Sequence, residues 1–378
     1  MYNKILIRYG ELTLKHNNRQ SFIDQLAWNV TQIVGTKPEK GFDRMFLPYS
    51  EHNLTQLSYV FGISSYSPVI ECENDFETIK QASKKLITSE VKTFKIAARR
   101  NNKAYFLTSQ QLNNLLGEFL LEEFKHLQVD VKAPDLVINV EIRKNNAYLF
   151  GKEIRGLGGL PVGISGTTLH LMSGGIDSPV AAFELMKRGL KVKFLSFISP
   201  PQTDEKTVNK IERLVQVLTK YQGTSEILFA DYSKLLNYIY LTSNESYRIN
   251  LMRRSFYRIA SQIAVKNQIF VLSNGENLGQ VASQTLESMA TINSQTNLLV
   301  LRPLITHDKI ETINKAKQID TYEISIEKSN ETCELFAPKK PVTKPKMTQA
   351  QELEAELAAL PELEAQVVAE GIQISKIC

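Results

Sequence analysis

The sequence predicts an α/β protein of more than one domain, with a doubly wound, mostly parallel sheet in its C-terminal half. Two patterns and a size argument predict it. From Thr167 onward, apolar strand-like runs alternate with helix-like runs, the order that builds a parallel sheet covered by helices. Before that point helices and strands mix in the order of a compact α+β module. The chain has 378 residues, 43% hydrophobic and 22% charged, enough for two or three cores and unlike a disordered or fibrous protein.

In chain order, residues 1–55 open with KILIRYGELTLK, where Ile5, Ile7 and Tyr9 alternate with Lys4, Leu6 and Arg8 as in a strand, and a polar helical stretch runs from Asn18 to Gly35. Residues 56–160 carry the helix-like runs DFETIKQASKKLITSE and QLNNLLGEFLLEEFKHL and the strand-like runs TFKIAARR, LVINVEIR and NAYLFGKEI. The most basic strand holds Lys95, Arg99, Arg100 and Lys103, with Phe94, Tyr105 and Phe106 interleaved. Such a pattern suits phosphate neutralisation and base stacking on RNA, or else a strand edge protected by charge. The run KEIRGLGGLPVGISG fits neither Walker A nor GxGxxG and reads as a domain joint. Residues 161–346 hold the strand and helix alternation, including a long helix near 245–266. Residues 347–378 read as an acidic helical tail, with Leu353, Leu357, Leu360, Leu363 and Val367 at helical spacing and Pro361 as a break or restart. The tail is expected to pack on its own domain or on a twin subunit.

No run approaches ~20 apolar residues and the first residues lack a signal-peptide centre, so a cytoplasmic protein without a membrane span is expected. Cys72, Cys333 and Cys378 lie far apart with no CxxC, which suggests neither a disulfide framework nor a metal site. The net charge is +5, yet the tail alone carries six Glu against one Lys, leaving +10 on residues 1–346, a balance that suits a polyanionic partner.

The sharpest chemical signal is LMSGGIDSPVA, residues 171–181. An apolar strand ends at Met172, a Ser-Gly-Gly-Ile-Asp-Ser turn follows, and Pro179 is expected at the first position of a helix. Small residues let backbone approach a ligand, and the free amides at a helix start favour an anion, so the turn is suited to phosphate. No lysine completes a Walker A. A second polar segment, SNGENLGQVASQTLESM, follows an apolar strand ending at Leu272, the position at which open α/β sheets bind ligands. Between them, NESYRINLMRRSFYRIA places Ile249, Met252, Phe256, Ile259 and Ile263 on one helical face, with Arg253 and Arg254 at its margin within reach of phosphate or RNA.

SGGxDS resembles the PP-loop of ATP pyrophosphatases. With the GLGGLPVG joint, GENLGQVASQTLESM and SNETCELFAPKKPVTKP, it makes residues 2–346 resemble the tRNA 4-thiouridine synthetase (tRNA uridine 4-sulfurtransferase) family. The resemblance implies an N-terminal ferredoxin-like domain, a THUMP RNA-binding domain containing FKIAARRNNKAY and VDVKAPDLVINVEIR, and a PP-loop catalytic domain. It implies an ATP site of Leu171, Met172, Ser173, Gly174, Gly175, Asp177, Ser178, Ser196, Phe197, Arg253, Gly275 and Gln284, with Mg2+ accompanying ATP, and tRNA contacts from Lys95, Arg99, Arg100, Lys103 and Arg143. Many family members have His where Ser196 stands.

The family reaction adenylates O4 of the uridine at position 8 of tRNA and then substitutes sulfur at C4. The resemblance makes Asp177 and Cys333 the catalytic pair, Asp177 helping with Mg2+ or reaction geometry and Cys333 carrying sulfur as a thiolate. Longer members append a rhodanese-like domain, for which the 32 residues after Lys346 leave no room. The short form is therefore expected to take sulfur from a cysteine desulfurase, to lack the thiazole-biosynthesis role tied to that domain, and, as the family commonly does, to act as a homodimer. Cys378 reads as a terminal or resolving thiol on a flexible tail, and Cys72 as structural. Another PP-loop tRNA modifier, or a tRNA-binding module retaining a relic of ATP chemistry, remain the alternatives.

Overall fold

The computed structural model describes residues 2–14, 18–329 and 337–378. The chain divides into two units, Met1–Leu160 and Pro161–Cys378, and the division falls within the glycine-rich joint.

The first unit is built on β1 (Lys4–Tyr9), α1 (Arg19–Val34), β2 (Glu39–Lys40), β3 (Arg44–Pro48), α2 (Glu51–Gln56), β4 (Ile63–Glu73), α3 (Phe76–Lys84), β5 (Thr93–Arg100), α4 (Ser109–Glu123), β6 (Gln128–Val129), β7 (Leu136–Ile142), β8 (Asn146–Phe150) and β9 (Ile154–Arg155). Among the described residues its strands form one sheet in the order β2-β3-β1-β4-β8-β7-β5-β6, with β9 beside β4. Helix α1 ends as the sequence predicts, on Gly35 in the left-handed conformation, which glycine adopts without strain. Helix α4 begins on a reciprocal cap in which Thr108 and Gln111 satisfy each other's backbone N–H groups.

Among the described residues three apolar clusters fill this unit, a small one of Leu6, Val69, Tyr148 and Phe150 beside two larger ones. Ile23, Leu26 and Val30 of α1 pack on Ile5 and Ile7, while Leu112, Leu116 and Leu120 of α4 pack with Phe94, Ile96 and Ile138. The long strand β4 serves both larger clusters, with Ile63 and Tyr66 in one and Ile70 in the other. The boundary expected between residues 55 and 56 accordingly lies inside α2, where no break in the backbone occurs.

The second unit contains β10 (Thr167–Leu171), α5 (Asp177–Lys187), β11 (Lys191–Ile198), α6 (Glu205–Thr219), β12 (Ser225–Asp231), α7 (Ser233–Ile239), α8 (Arg248–Lys266), β13 (Val271–Ser273), α9 (Leu286–Asn293), β14 (Leu299–Leu301), α10 (Lys309–Gln318), α11 (Tyr322–Ser325), α12 (Met347–Glu356), α13 (Leu360–Glu370) and β15 (Ile372–Ile377). Its sheet runs β14-β13-β10-β11-β12-β15, parallel except for the antiparallel β15. The order reverses beside β10, whose neighbours are β11 and β13, so the crevice beyond the carboxyl ends of β10 and β13 is the place where this architecture takes a ligand.

Two expectations about this unit are corrected. Helix α5 begins at Asp177, so Pro179 is its third residue, still in the first turn where its missing N–H costs no intrahelical bond. The acidic segment is not wholly helical and is no flexible tail. Pro361 restarts a helix, as its position predicts, but Ile372–Ile377 then pairs residue by residue with β12, leaving Cys378 next to that edge strand. Ala350, Leu353, Leu357, Leu360 and Val367 all join the core of the second unit, and each buried leucine contributes about 1.5–3 kcal/mol relative to exposure. The segment thus packs on its own unit.

Candidate functional site

The site starts from the turn between β10 and α5. The Ser178 hydroxyl accepts from the Ser173 N–H at 3.1 Å and lies 3.1 Å from the Ser173 carbonyl, closing the Ser-Gly-Gly-Ile-Asp-Ser turn on itself. Beneath it, His170 is fully buried, with Nε2 3.0 Å from the Ser178 carbonyl and Nδ1 3.0 Å from the Ser273 hydroxyl. Burial lowers the imidazole to about 4, so the ring is neutral at physiological pH. A carbonyl can only accept, which puts the proton on Nε2 and makes Nδ1 the acceptor of the Ser273 hydroxyl. His170 therefore ties β10 to both α5 and β13.

Gly275 locks the same corner. A Cβ there would lie 2.7 Å from the Ser178 nitrogen and 2.8 Å from the Asp177 carbonyl carbon, so only glycine lets the loop after β13 lie on the start of α5.

All twelve residues expected at the nucleotide site line one cavity of about 190 Å3. Leu171, Met172, Ser173, Gly174, Gly175, Asp177 and Ser178 come from the end of β10, the turn and the start of α5. Ser196 and Phe197 come from β11, Arg253 from α8, and Gly275 and Gln284 from the segment after β13. Phe197 stacks on Phe256 with ring centroids 3.9 Å apart and planes 6° from parallel, an aromatic wall suited to a flat base. The Gln284 side-chain oxygen is buried and has no hydrogen-bond partner among the described residues, which leaves it for a ligand donor.

Several residues of the site escape sequence reasoning. Lys309, at the start of α10, places Nζ 2.9 and 3.1 Å from the two Asp177 oxygens, and Gln280 donates to the same carboxylate at 2.9 Å. Glu276 is only 4% exposed and is gripped by Arg253 and Arg302, each at 2.7 Å. Burial opposes its charge, but the two guanidiniums outweigh burial and hold its pKa below the ordinary carboxylate value. Thr203, Thr207 and Ile211 also line the cavity. Glu276 and Gln280 lie within the GENLGQ run, a signal that could have found them. Lys309 sits in THDKIE, which carries none, and only the fold brings it 132 positions back to Asp177.

Other candidates are placed differently. Arg254 is 1% exposed and bound to Glu354 and the Thr291 carbonyl, so it reaches neither phosphate nor RNA. The aromatics interleaved with the basic residues are placed differently from one another. Phe94 is core, Tyr105 is buried with its ring centroid 4.8 Å from that of Phe106, and Phe106 itself is 70% exposed. Arg99 and Lys103 are exposed, Lys95 reaches the Val131 carbonyl, Arg100 reaches the Tyr105 carbonyl, and the Arg143 guanidinium is committed to Asp43 at 2.6 Å. Cys72 is half-buried, and its thiol is pushed up to about 11 by burial, as suits an inert structural cysteine. Cys333 lies outside the described residues. No helix among the described residues is long and apolar enough to cross a membrane.

Comparison with known proteins gives a consistent picture. The family described as "Thiamine biosynthesis protein (ThiI)" matches residues 163–359, the THUMP domain residues 73–151, and the ThiI ferredoxin-like domain residues 4–67. The chain is 64% identical to a "Probable tRNA sulfurtransferase" of Mycoplasmopsis agalactiae over 99% of both chains. It is 58% identical to a "Probable tRNA sulfurtransferase" of Mycoplasmopsis synoviae, over 95% of this chain and 96% of the other. Its fold superposes with a TM-score of 0.94, at 35% identity and complete coverage of both chains, on a crystal structure of a 4-thiouridine synthetase–RNA complex with bound ATP.

Proposed function

Because the chain belongs to the ThiI family, whose curated relatives are named probable tRNA sulfurtransferases, we propose that it is an ATP-dependent tRNA sulfurtransferase making 4-thiouridine at position 8. The observation that carries this reading is the convergence of the Ser173–Ser178 turn, Arg253, Gly275 and Gln284 on one cavity at the point where the strand order reverses.

The proposed chemistry has two steps. Uridine O4 attacks the α-phosphorus of ATP, the bond to the bridging oxygen breaks and pyrophosphate leaves. A sulfur nucleophile then attacks C4, the C–O bond breaks and AMP leaves. In the first step the free amides at the start of α5 hold the phosphates, the Phe197–Phe256 wall takes the base, and Arg253 offsets phosphate charge. Asp177 keeps the Lys309 ammonium at the rim of the turn, ready to meet charge developing on the departing pyrophosphate.

Among the described residues no group of three or more His, Cys, Asp or Glu could hold a metal ion, and Asp177 is already engaged by Lys309 and Gln280. Those residues do not fit a resident Mg2+ site. The proposed Mg2+ therefore travels on the nucleotide phosphates.

Cys333 is proposed to take the outer sulfur of a cysteine desulfurase persulfide. That sulfur attacks C4 as AMP leaves. A second thiol, supplied from outside as a reductant, then attacks the Cys333 sulfur, so that the S–S bond breaks, the thione sulfur stays on C4 and Cys333 is left in a disulfide. Support comes from the described residues on either side of Cys333. Lys210 of α6 donates to the Glu327 carbonyl at 2.7 Å and lies 3.2 Å from the Ser329 hydroxyl, on the helix that lines the cavity through Thr207 and Ile211. Further along, the Thr343 carbonyl accepts from Thr285, the residue after cavity-lining Gln284.

ATP labelled at the α-phosphate tests the first step. Release of labelled AMP should depend on unmodified tRNA, with label passing transiently to the tRNA. Asp177→Asn should abolish the transfer, and Cys333→Ser should adenylate yet fail to use desulfurase-borne sulfur. Cleavage of ATP without any dependence on tRNA uridine would overturn the reading in favour of another PP-loop modification.

A further inference from the structure

The cavity's single arginine does not act alone. Glu276 is its one hydrogen-bond partner among the described residues, with Arg253 Nη1 2.7 Å from Glu276 Oε1. If that pair stood by itself the two charges would cancel, and the wall would offer nothing to a polyphosphate. A second guanidinium prevents this. Arg302, the residue after β14, donates Nε to Glu276 Oε2 at 2.7 Å and Nη2 to the Tyr257 hydroxyl at 3.0 Å and to Asn293 at 3.2 Å. Arg302 does not line the cavity.

The carboxylate between them is fixed from every side. Asn274 accepts from the Glu276 N–H at 3.0 Å and donates to the Tyr257 hydroxyl at 2.7 Å. Tyr257 is 2% exposed, and burial, with the charge of Glu276, raises its pKa, so its hydroxyl stays protonated. Two arginines and one glutamate leave one net positive charge, and both Arg253 and Glu276 line the cavity, so the charge a ligand meets there depends on Arg302 neutralising Glu276 from outside it.

We propose that Arg302 is a positioning residue for the nucleotide: by neutralising Glu276 it keeps the charge of Arg253 uncompensated toward the cavity while Glu276 still aims the Arg253 fork. This rests on the reading of the cavity as the ATP site. A strap holding β14 and the loop after β13 together would use the same contacts, and the two roles differ in what they do to charged and uncharged ligands.

The test is direct binding of ATP and of adenosine to the full chain, by calorimetry, for wild type, Arg302→Gln and Glu276→Gln/Arg302→Gln. Arg302→Gln is expected to weaken ATP by about tenfold, which is about 1.4 kcal/mol, while adenosine binding stays put. The double variant removes the carboxylate that would cancel Arg253, and ATP affinity should return to within about threefold of wild type. Equal weakening of ATP and adenosine, or a double variant no better than the single one, would overturn the charge role. Wild type that binds neither ligand would instead overturn the ATP reading of the cavity.

Discussion

At the scale of single residues, the β10–α5 corner makes two demands. Gly275 stands where a methyl group would press on backbone atoms of α5 that have no room to retreat. Gly275→Ala is expected to abolish measurable ATP binding and to lower the melting temperature, checked by calorimetry and thermal unfolding. His170 is neutral in the fold at a pH where the unfolded chain would protonate it. Its pKa falls from 6.5 to about 4 on burial, so its contribution is complete above 6.5 and is lost as pH falls toward 4. The loss amounts to about 3 kcal/mol, and His170→Gln should flatten the stability curve between those limits, as chemical denaturation across that range would show. The turn itself was legible because its chemistry is local: small residues, a helix start and a preceding apolar strand lie within a dozen positions. Lys309 was not, because its partner Asp177 comes from another helix far away in the chain, and a lone Lys at a helix start looks like any solvated one.

At the scale of elements, the C-terminal segment shows what pattern reading catches and what it misses. Its two helices followed from leucine spacing and Pro361. The strand IQISKI did not, since four of its six residues are polar or exposed and its pairing is supplied by the open edge of β12. The acid surplus also has a structural cause. Glu354 and Glu364 bind Arg258, and Glu354 also binds Arg254, so the segment's charge meets the basic side of α8. Glu364 is 3% exposed, and Glu364→Ala leaves the Arg258 guanidinium short of one partner. A loss of about 3 kcal/mol in unfolding free energy is expected, measured by denaturant titration. Removing residues 372–378 should expose the β12 edge and raise light scattering on heating.

At the scale of the whole molecule, the exposed basic residues and the cavity fall in different units. Arg99 and Lys103 are exposed in the first, while the cavity lies wholly in the second. An Arg99→Ala/Lys103→Ala variant should bind tRNA more weakly, with a salt slope smaller by about one for each contact removed, and should bind ATP as wild type does. Filter binding across a salt series beside ATP calorimetry checks both halves. The parallel sheet was legible from alternation alone, whereas the identity of the first unit came through the family resemblance, because short strands and helices there specify no ligand. The central claim is ATP-dependent thiolation of tRNA. Its most direct measurement is nucleoside analysis of unmodified tRNA after incubation with the protein, Mg-ATP, and a cysteine desulfurase with cysteine. Wild type should yield 4-thiouridine, with none formed without ATP and none by Asp177→Asn. Wild type that consumes ATP but leaves every uridine unthiolated would contradict the claim.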